Sequence, residues 1–262
     1  MKLPIFQIDA FTSHSFGGNP AAVIPLSDWL AEDVLQAIAE ENNLSETAYV
    51  VGGNGHYELR WFTPAVEVDL CGHATVAAAW VIRNELNDLS DLICFESRSG
   101  ELQVRFNGTQ VELNFPAQPG EACATDILFE QAFGIVPEGV MASADYMVLF
   151  ENQQQIEALQ PDFSVLKQLD RRGVICTAPG DQVDFVSRWF GPNVGVDEDP
   201  VTGSAHCALT PYWAERLGKS CLSARQLSAR GGELECEING DRVLIRGNAV
   251  KYMQGQIEFT DT

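Results

Sequence analysis

The sequence is short of positive charge. Lys and Arg number 16 against 37 Asp and Glu, so the formal charge is −21. Nucleic-acid binding leans on cations that neutralise phosphates, so a nucleic-acid partner is excluded. Anionic membrane surfaces are disfavoured for the same reason. Long apolar runs are also missing, and none approaches the ~20 residues of a membrane span. Residues 1–11 hold Lys2, with Asp9 inside their apolar stretch, so they read as a strand and not as a secretory signal. Cysteine occurs seven times, an odd number, with no CxxC pair. That pattern points to a reduced, cytoplasmic protein whose thiols act as small core residues. Low-complexity tracts, charge blocks and an obvious linker are absent.

What is present suits a folded enzyme-sized chain. The 262 residues are 45% hydrophobic and 20% charged, an ordinary globular balance. A weak internal repeat organises them. Arg60-Trp61-Phe62-Thr63-Pro64 recurs as Arg188-Trp189-Phe190-Gly191-Pro192. Asp69 to Ala74 resembles Asp199 to Ala205. The stretch 98–113 aligns without gaps on 230–245, with seven identities in sixteen positions. Order and spacing are kept, so the chain reads as two copies of one unit. The expected domains are 1–117 and 118–262, with the extreme C-terminal strand a candidate to return to the first.

Each copy has an aromatic strand, a turn with Pro, then a Gly-led Ala-rich helix over 72–84 or 203–217. A hairpin with Asn-Gly at its tip follows, at Asn107-Gly108 and Asn239-Gly240, where both turn residues should take positive φ. Ser27 can cap a helix from Asp28 to Asn42. Strands are expected over 6–11 and 47–51, and short helices over 126–133 and 152–168. The stretch 122–172 is the least legible.

A helix N-terminus exposes unpaired N–H groups and about half a positive charge. Two such starts, Gly72-His73-Ala74 and Gly203-Ser204-Ala205, stand at symmetric places. If both helix ends face one cleft, they would cradle a small carboxylate. A single Gly there more often just fits a tight turn; the duplication makes the binding reading competitive.

At this level the sequence resembles the PhzF-like isomerases of phenazine biosynthesis, which share the diaminopimelate epimerase fold. The matching segments are Asp9 to Thr12, Gly18 to Val23, Asn43 to Thr47, Arg60 to Pro64, Asp69 to Thr75 and Glu198 to His206. The resemblance implies an α+β fold of two pseudo-symmetric domains, each a curled, mostly antiparallel sheet around a central helix. It implies a cofactor-independent isomerase that moves a proton between carbons of a small carboxylic-acid substrate, with no metal, acting as a homodimer. Glu46 matches the proton-moving glutamate, and His73, Asp199 and Ser204 match its assistants. Gly72 and Gly203, with His73 and Ser204, match the carboxylate-binding positions.

The residues themselves add an asymmetry. Counting fourteen back from Arg60 gives Glu46, whereas the same count from Arg188 gives Val174. The duplicated frame therefore carries one unique carboxylate. As a base its pKa should rise toward neutrality, through burial or through Asp199. Cys71 is matched by Thr202 in the second copy, so two-thiol epimerisation is disfavoured. A Cys71-assisted epimerase or racemase, with a thiol acidified by the helix start, is the rival enzyme. A non-catalytic small-acid binding protein with the same cleft is the rival from another class. Asp199, Ser204 and His206 lack triad geometry. Cys71, His73, His206 and Cys207 lack chelating spacing for zinc. Arg60 and Arg188 read as partners in structural ion pairs, and Gly17 to Pro20 reads as a turn.

Overall fold

The computed structural model describes residues 1–260. It separates into two units, Met1–Asn114 with the segment from Arg246 on, and Phe115–Ile245. The division thus falls three residues before the expected 117/118, and the second unit ends at Ile245, not at 262. The reason is the last strand, β18 (Ala249–Glu258), which pairs antiparallel along the whole of β1 (Lys2–Ala10).

The first unit continues with β2 (Asn19–Leu26), α1 (Glu32–Asn42), β3 (Glu46–Gly53), β4 (His56–Phe62), β5 (Glu67–Val68), α2 (Gly72–Asn84), β6 (Leu92–Ser97), β7 (Gly100–Asn107) and β8 (Gln110–Pro116). Its strands pair in the order β18-β1-β2-β3-β4-β6-β7-β8, with β5 on the end of β4. The pairs β2–β3 and β4–β6 are parallel and the rest antiparallel.

The second unit holds β9 (Glu121–Cys123), α3 (Ile127–Phe133), β10 (Gly139–Ala142), β11 (Tyr146–Leu149), α4 (Gln153–Ala158), α5 (Phe163–Leu166), β12 (Val174–Pro179), β13 (Phe185–Gly191), β14 (Val196–Asp199), α6 (Gly203–Leu217), β15 (Cys221–Gln226) and β16 (Gly232–Asn239); β17 (Arg242–Gly247) runs up to the boundary. Its order is β9-β10-β11-β12-β13-β15-β16, with β14 on β13. Here β11–β12 and β13–β15 are the parallel pairs. The run β9 to β16 repeats, in order and sense, the run β18 to β7 of the first unit. Mixed α+β architecture dominated by sheet is therefore the fold class.

Each central helix is buried almost all round, which an amphipathic surface helix would not be. Along α2, His73 to Ala79, Val81 and Ile82 are buried. Its alanines let β1, β2, β3 and β18 approach closely. Each of Val76, Val81 and Ile82 contributes about 1.5–3 kcal/mol by leaving water. Pro211 sits inside α6 and cannot donate to Cys207 O. Gln118 N–H fills that carbonyl at 2.9 Å, so the helix continues.

Three local expectations change. Helix α1 starts at Glu32 with Ala31 before it, and no side chain caps it; Asp28 instead accepts from the Trp29 amide. The 152–168 helix is two short helices separated at Pro161. At the hairpin tip Asn107 pairs with Gln110, so the turn is Gly108-Thr109 and only the glycine, at φ 61°, is left-handed. Glycine at the first central turn position meets that need.

Candidate active site

Glu46 is the first residue of β3, set beside Ala21 of β2 by their parallel pairing. Gly72 and His73 open α2. These two starts bring Glu46 Oε2 to 3.0 Å from His73 Nε2. The side chains are 17% and 6% exposed. The contact is one of charge more than an aligned hydrogen bond. On the other ring edge, Nδ1 lies 3.1 Å from Asn19 Nδ2 and 3.5 Å from Cys71 Sγ.

Asn19, inside the expected turn Gly17 to Pro20, begins β2. The turn is completed by Gly18 at φ 63°, where a Cβ would strike Ala10 O at 2.1 Å. A doubly protonated His73 donates from Nδ1, so the Asn19 amide must then present its oxygen. Amide orientation and ring protonation are thus linked.

Burial pushes the Glu46 carboxyl up, but the charge of His73 pulls it further down, and the net shift is downward. The expected rise toward neutrality is therefore corrected: Glu46 is an ionised carboxylate held by a cation. Burial pushes His73 down, yet Cys71 and Glu46 raise it well above its ordinary value. Burial, then the Glu46 carboxylate, pushes the Cys71 thiol up to about 11. At neutral pH the thiol is therefore uncharged, and Glu46 carries the electrostatic effect on His73. The acidified thiol of the rival scheme is overturned, because burial outweighs the helix start.

Glu46, Cys71 and His73 place one donor atom each within 4.8 Å of one another. Their types would suit zinc, but the thiol would first have to lose a proton that burial holds tightly. Cys71 stands at the N-cap of α2 without a capping hydrogen bond from its side chain. The amides of Gly72 and His73 meet no acceptor among the described residues. They are donors available to an anion.

In the second unit Asp199 ends β14, and Gly203 and Ser204 open α6. Thr202, the counterpart of Cys71, donates its hydroxyl to Asp199 Oδ2 at 2.5 Å. Buried Gln226 braces this corner through Thr202 N, Thr202 Oγ1 and Asp199 O. Ser204 Oγ accepts from Arg172 Nη2 at 3.0 Å. Arg172 was not singled out from the sequence. It lies in the least legible stretch, 27 residues from its partner Asp145, and no spacing signal links them.

Residues read as structural behave so. Arg60 forks onto Glu67 at 2.7 and 2.6 Å, and Arg188 forks onto Glu198 at 2.7 and 2.9 Å. His206 is buried, donates from Nδ1 to Thr202 O and packs on Phe185. Burial lowers its pKa to about 4, which keeps it neutral. A surface hollow near Pro211 and Lys219 lies along the C-terminal half of α6, about 10–20 Å along the helix from Ser204.

A family model described as "Phenazine biosynthesis-like protein" (PhzC-PhzF) matches residues 8–255. An uncharacterized isomerase of Pseudomonas aeruginosa is 58% identical over 259 residues, covering 99% of this chain and 100% of that protein. A crystal structure of a PhzF-family phenazine biosynthesis protein from Enterococcus faecalis superposes with TM-score 0.97 at 45% identity, covering 99% of this chain and 100% of that one. A predicted epimerase from Pseudomonas aeruginosa superposes with TM-score 0.77 at 18% identity over 98% of this chain and 100% of that one, a likeness of fold alone.

Proposed function

The chain belongs to the PhzC-PhzF, phenazine biosynthesis-like family, and from that premise we propose that it is an isomerase that moves a proton between carbons of a small carboxylic acid, with Glu46 as the base. The observation that carries this reading is the Glu46–His73 pair at the uncapped start of α2. An ionised, mostly buried carboxylate takes a proton from a carbon acid bound against it. Burial makes the protonated carboxyl tolerable afterwards, and the same group returns the proton elsewhere on that face. The imidazolium of His73 stabilises the enolate-like charge that develops. The free amides of Gly72 and His73 hold the substrate carboxylate. On their own chemistry, Gly203 and Ser204 serve as further donors, and Asp199 assists through its charge. No cofactor has a role in these steps. Seven free thiols suit a reducing compartment, so the cytoplasm is the proposed location. No described helix is long and apolar enough to cross a membrane. A homodimer belongs to the same proposal.

The test is solvent exchange. Candidate amino and cyclic carboxylic acids are incubated with the protein in D2O and examined for carbon-bound deuterium. Glu46→Gln should abolish incorporation. A wild-type protein that binds such acids without any exchange would favour the non-catalytic alternative.

A further inference from the structure

The two repeats carry different chemistry at matching places. His73 and Ser204 each follow the glycine that opens their helix. In the first unit His73 meets Glu46. Phe62 pairs with Thr47, and Phe190 pairs with Val174, so the counterpart of Glu46 is Gly173. This shifts the counterpart by one residue from the Val174 that simple counting gives.

Gly173 has no room for a side chain. A Cβ there would lie 2.5 Å from Cζ2 of Trp189 and 2.9 Å from Phe190 O. The indole thus closes off the space that a side chain at 173 would need. Its Nε1 donates to Asp145 Oδ2 at 2.9 Å. Asp145, whose side chain is 3% exposed, receives Arg172 on both oxygens, Nε at 3.0 Å and Nη2 at 2.7 Å. The guanidinium also lies over the Trp189 ring, 5.4 Å from its centroid. Arg172 is thereby fixed in orientation while its side chain stays 43% exposed.

A guanidinium only donates. Ser204 Oγ accepts from Arg172, so the serine's own hydrogen is left to donate outward. The two hydrogens of Arg172 Nη1 find no acceptor among the described residues.

We propose that Arg172 and Ser204 form a recognition dyad that reads an acidic group of the substrate, making Arg172 a specificity-determining residue of this enzyme; the role in turnover rests on the isomerase reading above. The ligand class is a compound with a carboxylate whose oxygens take the Ser204 hydroxyl and the Nη1 hydrogens. Asp145 already balances the guanidinium charge, and the Asp199 carboxylate adds to it. Selection therefore works through fixed donor geometry and needs no net positive field, which suits a chain of charge −21.

Two arms test it, on Arg172→Met, Arg172→Lys and Ser204→Ala proteins whose fold is checked by circular dichroism. The first needs no turnover. Calorimetric titration compares malonate with neutral malonamide. Wild type and Glu46→Gln should both prefer malonate. Arg172→Met should lose that preference by about ten- to a hundredfold, the usual worth of a charged hydrogen bond. Arg172→Lys, which keeps the charge without the fork, should recover part of it. Absence of malonate binding by wild type, or an unchanged preference in a folded Arg172→Met, overturns the dyad. The second arm uses any acid that exchanges deuterium in a Glu46-dependent way. There Arg172→Met should raise KM by a similar factor with a smaller change in kcat; a purely structural role would instead lower kcat and Tm together. If no acid exchanges, the isomerase reading fails while the malonate arm still decides the dyad.

Discussion

Removing the Glu46 charge should reverse the titration of His73. The Nε2–Oε2 distance is 3.0 Å. At an effective dielectric of about 20, opposite charges at that separation attract by about 5.5 kcal/mol. Against this stands the cost of burying the imidazolium, which acts in the opposite direction. In wild type the attraction wins, and His73 titrates well above its ordinary value. In Glu46→Gln the attraction is gone, the Cys71 thiol is neutral, and burial alone remains. His73 should then titrate below its ordinary value and be neutral at pH 7. Nitrogen-15 NMR of the ring reads this directly: two protonated nitrogens in wild type, one in the variant. A His73 still cationic at pH 7 in Glu46→Gln would refute the pairing as the source of its charge.

The same pair sets a stability profile. His73 is raised in the folded state, so its contribution is full below about pH 6.5, erodes above it and is lost past the folded value. Glu46 is lowered, so its contribution is full above about pH 4.3 and is lost as pH falls through the folded value. Urea unfolding should show both slopes in wild type and neither in a Glu46→Gln/His73→Asn double variant. His73→Asn alone leaves a buried carboxylate unpaired and should cost about 3–5 kcal/mol at pH 7, less near pH 4. Cys71→Ala should leave turnover largely intact, since the thiol is uncharged until about pH 11; a loss of about a thousandfold would move the chemistry to sulfur. Gly173→Ala should destabilise by about 1–3 kcal/mol in denaturant titration, because its Cβ meets the Trp189 ring; an unchanged midpoint would show that the indole yields freely.

Much of this fold was legible because the repeat is written in large, well-placed residues. The Arg-Trp-Phe strands, the Gly-led helices and the Asn-Gly tips each mark an element of period and turn chemistry. The helix bounds 72–84 and 203–217 follow from Ala-rich runs that begin at a glycine. Register was harder to read. The repeat offset is 128 on β4 and β13 but 127 on β3 and β12, since the two hairpin loops differ in length. Counting by a fixed offset therefore lands on Val174 instead of Gly173. Glu46 and His73 could be named singly, but their mutual distance depends on the parallel pairing of β2 with β3. The direction of the Glu46 shift was misread for that reason. Arg172 and Asp145 left no trace in spacing, because they lie just ahead of β12 and β11 and only the parallel pairing of those strands brings them together.

The central claim is that Glu46 moves the proton, and carbon-bound deuterium in D2O tests it most directly. With an acid that wild type labels, the account predicts that Glu46→Gln incorporates none above the uncatalysed background, with the fold intact. Labelling by Glu46→Gln at the wild-type rate would contradict it.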